Sequence, residues 1–149
     1  MTFTNNTPAM DRHFRYGNSA VICEGASMRA VCRQLATVVT VKGDIDSNNI
    51  DQIASYVNRF ILAEKPLTLD LSGVNSLAPQ AISLFYDIDE KCGELGVDWS
   101  VVASQPVVTE IRRQEVGVPL SSSVPEALHH FAEGNTARRR LLPLLIKSA

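Results

Sequence analysis

Between Leu67 and Phe85 the chain reads "LTLDLSGVNSLAPQAISLF", and the period of its apolar residues changes part-way through. Leu67, Leu69 and Leu71 alternate with Thr68 and Asp70, the period-two pattern of a half-buried strand. From Ala81 onward, Leu84, Phe85, Ile88 and Cys92 recur at helical spacing, with Ser83, Asp87, Glu90 and Lys91 on the other face. Pro79 suits the first turn of that helix, where its missing N–H has no partner to lose. A chain that makes this switch repeatedly must lay helices over a sheet.

The switch does recur. "AVICEG", "RAVCRQL" and "TVVTVKG" are rich in Val and Thr and predict three short strands separated by the small residues Gly25, Ala26, Ser27 and Ala36. After Gly43, "DIDSNN" offers several oxygen-bearing caps, and Ile50, Ile53, Val57, Phe60 and Ile61 then predict an amphipathic helix ending near Glu64, because Pro66 follows. "SGVNS" predicts a turn, so Asn75 to Gln80 is expected as a loop. "GVDWSVVAS" reads as a further strand, "PVVTEIRRQ" as a short helix entered at a proline, and "VGVPL" as a final strand. "SSSVPEALHHFAEGN" closes the order as a helix with Pro125 near its start and Gly134 and Asn135 past its end.

The length of 149 residues accommodates one domain with a core that needs no disulfide or metal. Residues 1–18 are polar and aperiodic and are expected to form a flexible arm, residues 19–135 the domain, and residues 136–149 a basic and apolar tail. A net charge of -2 gives no reason to expect a nucleic-acid partner. Three widely spaced cysteines, with no C-x-x-C pair, suggest neither a disulfide framework nor a zinc site and fit a reducing cytoplasm. The longest apolar stretch, "LLPLLI", is far too short to span a bilayer, and the first residues do not have the pattern of an export signal.

The order of parts resembles the STAS domain, the fold of bacterial anti-sigma factor antagonists and of the cytoplasmic tails of sulfate transporters. The resemblance covers roughly Arg29 to Glu133. "VVTVKGDIDSNN" is similar to the family strand that ends in Gly-Glu-Leu-Asp before the first helix, and "LTLDLSGVNSL" to its Asp-Leu-Ser-Gly-Val strand. It implies an α/β sandwich, a mixed sheet of about 4–6 strands with about 4 helices mainly on one face. In members that act as phosphorylation switches the segment continues as Asp-Ser-Ser-Gly, and the second serine accepts the phosphate. Counted from Asp70, those positions here are Ala78, Pro79, Gln80 and Ala81, and none matches. Gln80 has no hydroxyl, so the usual phosphorylation cannot occur there.

The resemblance therefore implies a non-enzymatic regulatory module that binds protein, in the anti-sigma factor antagonist manner, without that switch. The expected partner is a kinase-type anti-sigma factor or another regulatory protein, with a second copy of the chain as a further candidate. The expected docking surface joins Asp44, Asp46, Ser47 and Asn48 to Asn75, Ser76, Ala78, Pro79, Gln80 and Ser83, with Ala78 and Pro79 as its small apolar centre. For Asp44 and Asp46 an acidic rim competes with a capping role, in which Asp46, Ser47 or Asn48 holds the first helical amides. The alternative function is a small-molecule sensor that binds a nucleotide or lipid between the sheet and the helix ends.

No catalytic set, phosphate loop, cofactor motif or metal-ligand spacing can be assembled from the remaining residues. Adjacent His129 and His130 point about 100° apart on a helix, a poor arrangement for sharing a metal. Cys32 and Cys92 read as buried small hydrophobes, and an oxidative pair of Cys23 with Cys32 would require β-carbons about 4 Å apart. The tail "TARRRLLPLLIKSA" can pack on the domain, mediate self-association or rest on an anionic membrane.

Overall fold

Strand β1 (Val21–Cys23), β2 (Ala26–Cys32) and β3 (Thr37–Ile45) form an antiparallel meander, and β4 (Leu67–Leu77), β5 (Trp99–Ala103) and β6 (Leu120–Ser121) continue it in parallel. This computed structural model describes residues 20–133. The expected arm, tail and final helix stop at Gly134 and Asn135 lie outside the described residues. Strand order in the sheet is the order in the chain. Three helices make the parallel crossovers: α1 (Ile50–Arg59), α2 (Ser83–Leu95) and α3 (Gln105–Arg113). Because the sheet always grows in one direction, right-handed crossovers put all three on the same face. A fourth helix, α4, covers 124–133.

The core lies between that sheet face and the helices. Val39, Val41, Leu67, Leu69, Leu71 and Val101 meet Ile53 and Val57 of α1, Leu84, Phe85 and Ile88 of α2, and Val107 and Ile111 of α3, nearly all inaccessible to water. Alternation sends Arg29, Thr40 and Asp70 to the opposite face, where the register aligns them across three strands. Ala127 and Phe131 of α4 pack separately against Ala36 in the β2–β3 turn.

The expected turn at "SGVNS" is strand. β4 runs on to Leu77 because its turn-forming residues are absorbed as extra residues in the pairing with β3. The register steps from Thr40↔Asp70 to Lys42↔Gly73, and from Gly43↔Val74 to Asp44↔Ser76. Each step leaves one more residue on β4 than on β3, a bulge that bends the strand without ending it. Asp70 Oδ1 steadies the first by accepting bonds from the N–H and hydroxyl of Ser72. The expected loop thus shrinks, and Asn75 and Ser76 belong to the strand.

Other boundaries also move. β2 begins at Ala26, so Ala26 and Ser27 are strand residues and Glu24–Gly25 alone make the hairpin turn. β3 extends through Asp44 to Ile45. Helix α1 stops at Arg59, short of Glu64, which takes a positive φ of 67°. The final strand is Leu120–Ser121, not "VGVPL": Pro119 presents only its carbonyl, which Val101 N–H reaches at 2.8 Å.

Cys92 is buried as expected, but Cys32, the last residue of β2, is exposed. Cys23 stands opposite Ala26, six residues along β2 from Cys32. That separation is about 20 Å, which excludes an intramolecular disulfide between them. His129 lies on the helix surface, 3.3 Å from Glu133 one turn on.

Candidate functional site

Parallel pairing brings the C-terminal ends of β3 and β4 side by side, and every residue of the expected docking surface gathers there. Asp44 is opposite Ser76, and its Oδ1 accepts the Ser76 hydroxyl at 2.9 Å. Ile45 carbonyl accepts the N–H of Ala78 at 2.8 Å, which leaves almost no slack between strand and helix. The chain then enters a 3-10 turn, Pro79–Ile82, before α2 begins at Ser83. Gln114, at the end of α3, donates to the Pro79 carbonyl at 2.9 Å and also to Glu110. The bonds from Gln114 and then Arg113 hold the Glu110 carboxyl below its usual range. Ser104 Oγ, at the start of α3, donates to the Val74 carbonyl at 2.7 Å.

These braces make a stiff surface. Asp44, Ser47, Asn48, Asn75, Ser76, Pro79, Gln80 and Ser83 are exposed, and Asp46 and Ala78 are half-buried. Between the two strand ends the link is direct, since the Asp44–Ser76 bond joins β3 to β4 just before the turns that follow them. The surface offers carboxylates, amides and hydroxyls around a proline.

Capping works differently from the expectation. Asp46 Oδ1 accepts the N–H of Asn48, ahead of the helix, so its side chain shapes the turn and caps no helical amide. The central residue is Asn49, at the helix start and 0% exposed. Its Nδ2 donates to the carbonyls of Glu24 at 2.6 Å and Asp44 at 2.8 Å, and its Oδ1 accepts the N–H of Asp46 at 2.9 Å. One side chain therefore ties together the β1–β2 turn, the end of β3 and the start of α1. Gly43, at φ +103°, permits this convergence: an added Cβ would lie 2.3 Å from the Gly25 carbonyl oxygen. The Asn pair before an apolar run was visible in the sequence, but which Asn turned inward was not.

Tyr86 was also missed. It stands on α2 one turn after Ser83 and is 59% exposed. Its place outside the stripe Ala81, Leu84, Phe85, Ile88 and Cys92 is the signal that could have found it. With Pro79, Gln80, Ser83 and Asp87 it makes a continuous outer face.

Residues 27–127 match the model of the STAS domain. The chain belongs to the STAS domain family. It is 42% identical, over 142 aligned residues, to osmosensory protein A of Mycobacterium tuberculosis, covering 91% of this chain and 90% of that one. Among solved structures it is similar to an anti-sigma factor antagonist from Mycobacterium paratuberculosis, with a TM-score of 0.65 at 22% identity, over 72% of this chain and 94% of the other. The anti-sigma factor antagonist SpoIIAA in its unphosphorylated form gives 0.60 at 11% identity, over 71% and 96%. Both share the fold of this chain, a mixed sheet of six strands with four helices among the described residues. No helix among the described residues is long and apolar enough to cross a membrane.

Proposed function

We propose that this STAS chain is a non-enzymatic, cytoplasmic regulatory module that docks onto a kinase-type anti-sigma factor through the ends of β3 and β4 and the first turns of α2. The observation that carries this reading is the Asp44–Ser76 bond, which ties the exposed ends of β3 and β4 into one braced surface. Preorganisation of that kind lowers the ordering cost of association. Pro79 and Tyr86 supply rigid apolar contact, and Asp46, Asn48, Gln80 and Ser83 the polar rim. Two proteins of similar fold are anti-sigma factor antagonists, which supports the partner class.

At the position where phosphorylated members carry the acceptor serine stands Gln80, so control of binding falls to abundance, to a competing partner or to a ligand. The test is affinity purification from the native organism with wild type, a Pro79→Asp/Gln80→Asp variant and Tyr86→Ala. An anti-sigma kinase retained by wild type and lost by the double variant supports the surface, with Tyr86→Ala weakening capture roughly tenfold. Equal recovery by all three removes this surface from the interface.

A further inference from the structure

A cavity of about 340 Å³ opens across β2, β3 and β4 on the sheet face turned away from α1, α2 and α3. Its lining holds Arg29, Thr40 and Asp70, which the register sets side by side, together with Ser27 and Lys42, the next pair along that face. Neighbouring strands lie about 4.8 Å apart, so Arg29 and Asp70 start from backbones about 10 Å apart, with Thr40 between them. Two cations and a carboxylate therefore surround one threonine.

These charges are not spent on each other. Among the described residues the ion pairs are Arg113–Glu110 and His129–Glu133, and Arg29, Lys42 and Asp70 take part in neither. The carboxylate is nonetheless fixed: Asp70 Oδ1 accepts the N–H of Ser72 at 3.0 Å and its hydroxyl at 2.7 Å, which leaves Oδ2 for a further donor. Lys42 is placed by Gly73, where an added Cβ would lie 2.9 Å from Lys42 Cγ. The lysine stem thus rests on the bare backbone of β4, the strand that carries Asp70.

The signs select the ligand. A simple anion would be drawn to Arg29 and Lys42 but repelled by Asp70, and a simple cation would meet the reverse. A neutral molecule would leave all three charges unmatched. A carboxylate joined to a cationic nitrogen answers each of them, and a carboxylate also accepts two parallel bonds from one guanidinium.

We propose that this cavity binds a small amino-acid-like zwitterion, its carboxylate on Arg29 and Lys42 and its cationic nitrogen on Asp70. The Ser27 and Thr40 hydroxyls stand beside the same cavity as further hydrogen-bonding groups. Its volume is at the lower end of small-molecule sites, as a ligand of that size requires. The cavity is separate from the docking surface, since Asp70 is roughly 20 Å along β4 from Ser76.

The full-length protein, labelled with nitrogen-15, is titrated with glycine, β-alanine and γ-aminobutyrate, a series that varies the distance between the two charges. Acetate and methylammonium serve as probes with one charge each, and sodium chloride controls for ionic strength. The expected result is saturable movement of the Arg29, Thr40 and Asp70 amide signals, with the best zwitterion binding at least tenfold more tightly than either singly charged probe. Asp70→Asn keeps an oxygen for Ser72 and removes the charge. It should raise the dissociation constant of that zwitterion roughly tenfold without weakening acetate, whereas Arg29→Gln should weaken both. Glu90→Gln on α2, outside the cavity, should change neither. If Asp70→Asn lacks a cooperative melt, Arg29→Gln, at an exposed side chain, carries the test. Affinity for acetate equal to that for every zwitterion, a linear response to all of them, or unchanged binding in a folded variant overturns the proposal.

Discussion

Removing the Asn49 side chain should be among the most damaging single changes outside the apolar core. Its amide makes three hydrogen bonds, at 2.6, 2.8 and 2.9 Å, while fully buried. At about 1 kcal/mol net for each bond, and with a small cavity added, Asn49→Ala should cost about 3 to 4 kcal/mol. That is a large part of the roughly 5–15 kcal/mol that holds a domain together, and it should lower the melting temperature by about 10 °C or more. Asn49→Asp is nearly isosteric but turns a donor into an acceptor facing the carbonyls of Glu24 and Asp44. The carboxylate form is disfavoured there, so the folded-state pKa of the new Asp lies above its unfolded value. The native state then binds the extra proton. Stability must fall as pH rises between the two pKa values and recover as pH drops. Urea unfolding at pH 7 and pH 5 should show Asn49→Asp regaining about 1 to 3 kcal/mol relative to wild type at the lower pH, while Asn49→Ala regains nothing. A loss below about 1 kcal/mol for Asn49→Ala, or an equal gap for both variants at both pH values, would refute the bridging role.

Two glycines should respond in opposite directions. Gly43→Ala combines a positive φ of 103° with a Cβ 2.3 Å from the Gly25 oxygen and should destabilise by more than about 2 kcal/mol. Gly93→Ala, inside α2 with nothing within 4 Å of an added Cβ, should stabilise by about 0.5–1 kcal/mol; thermal melts of the pair decide both. Of the three thiols, Cys32 is exposed, while burial raises the pKa of Cys23 and takes Cys92 to about 11. An aromatic disulfide reagent should therefore titrate one thiol quickly in the native protein and all three in denaturant. Mild peroxide should yield no intramolecular bridge, and a monomer in which two thiols disappear together would contradict the β1–β2 register.

The elements legible in the sequence were those whose signal is local. The alternation of Leu67, Leu69 and Leu71 and the helical stripe through Leu84, Phe85 and Ile88 each report the face turned to the core, and all six are buried, although Thr68 between two of the leucines is buried as well. Gln80 in place of a hydroxyl was equally readable, because the presence of an acceptor is a matter of residue type. Polar residues were harder to place. Ser72, Gly73 and Asn75 have turn chemistry, yet pairing with β3 consumed them in two bulges, since the parallel ladder gains more from continuing than a turn gains from closing.

What the sequence by itself determined is therefore the strand and helix order, the apolar stripe of the helices and the missing phosphate acceptor, all set by side-chain identity and period. Only the tertiary structure decided which asparagine is buried, that Asp44 and Ser76 bond across 32 residues, that Cys23 and Cys32 lie apart, and that Arg29, Lys42 and Asp70 share a cavity. Each of those depends on register and on the meeting of elements distant in the chain. A polar side chain carries no period that would announce its partner, so its role is settled when the backbone around it has folded.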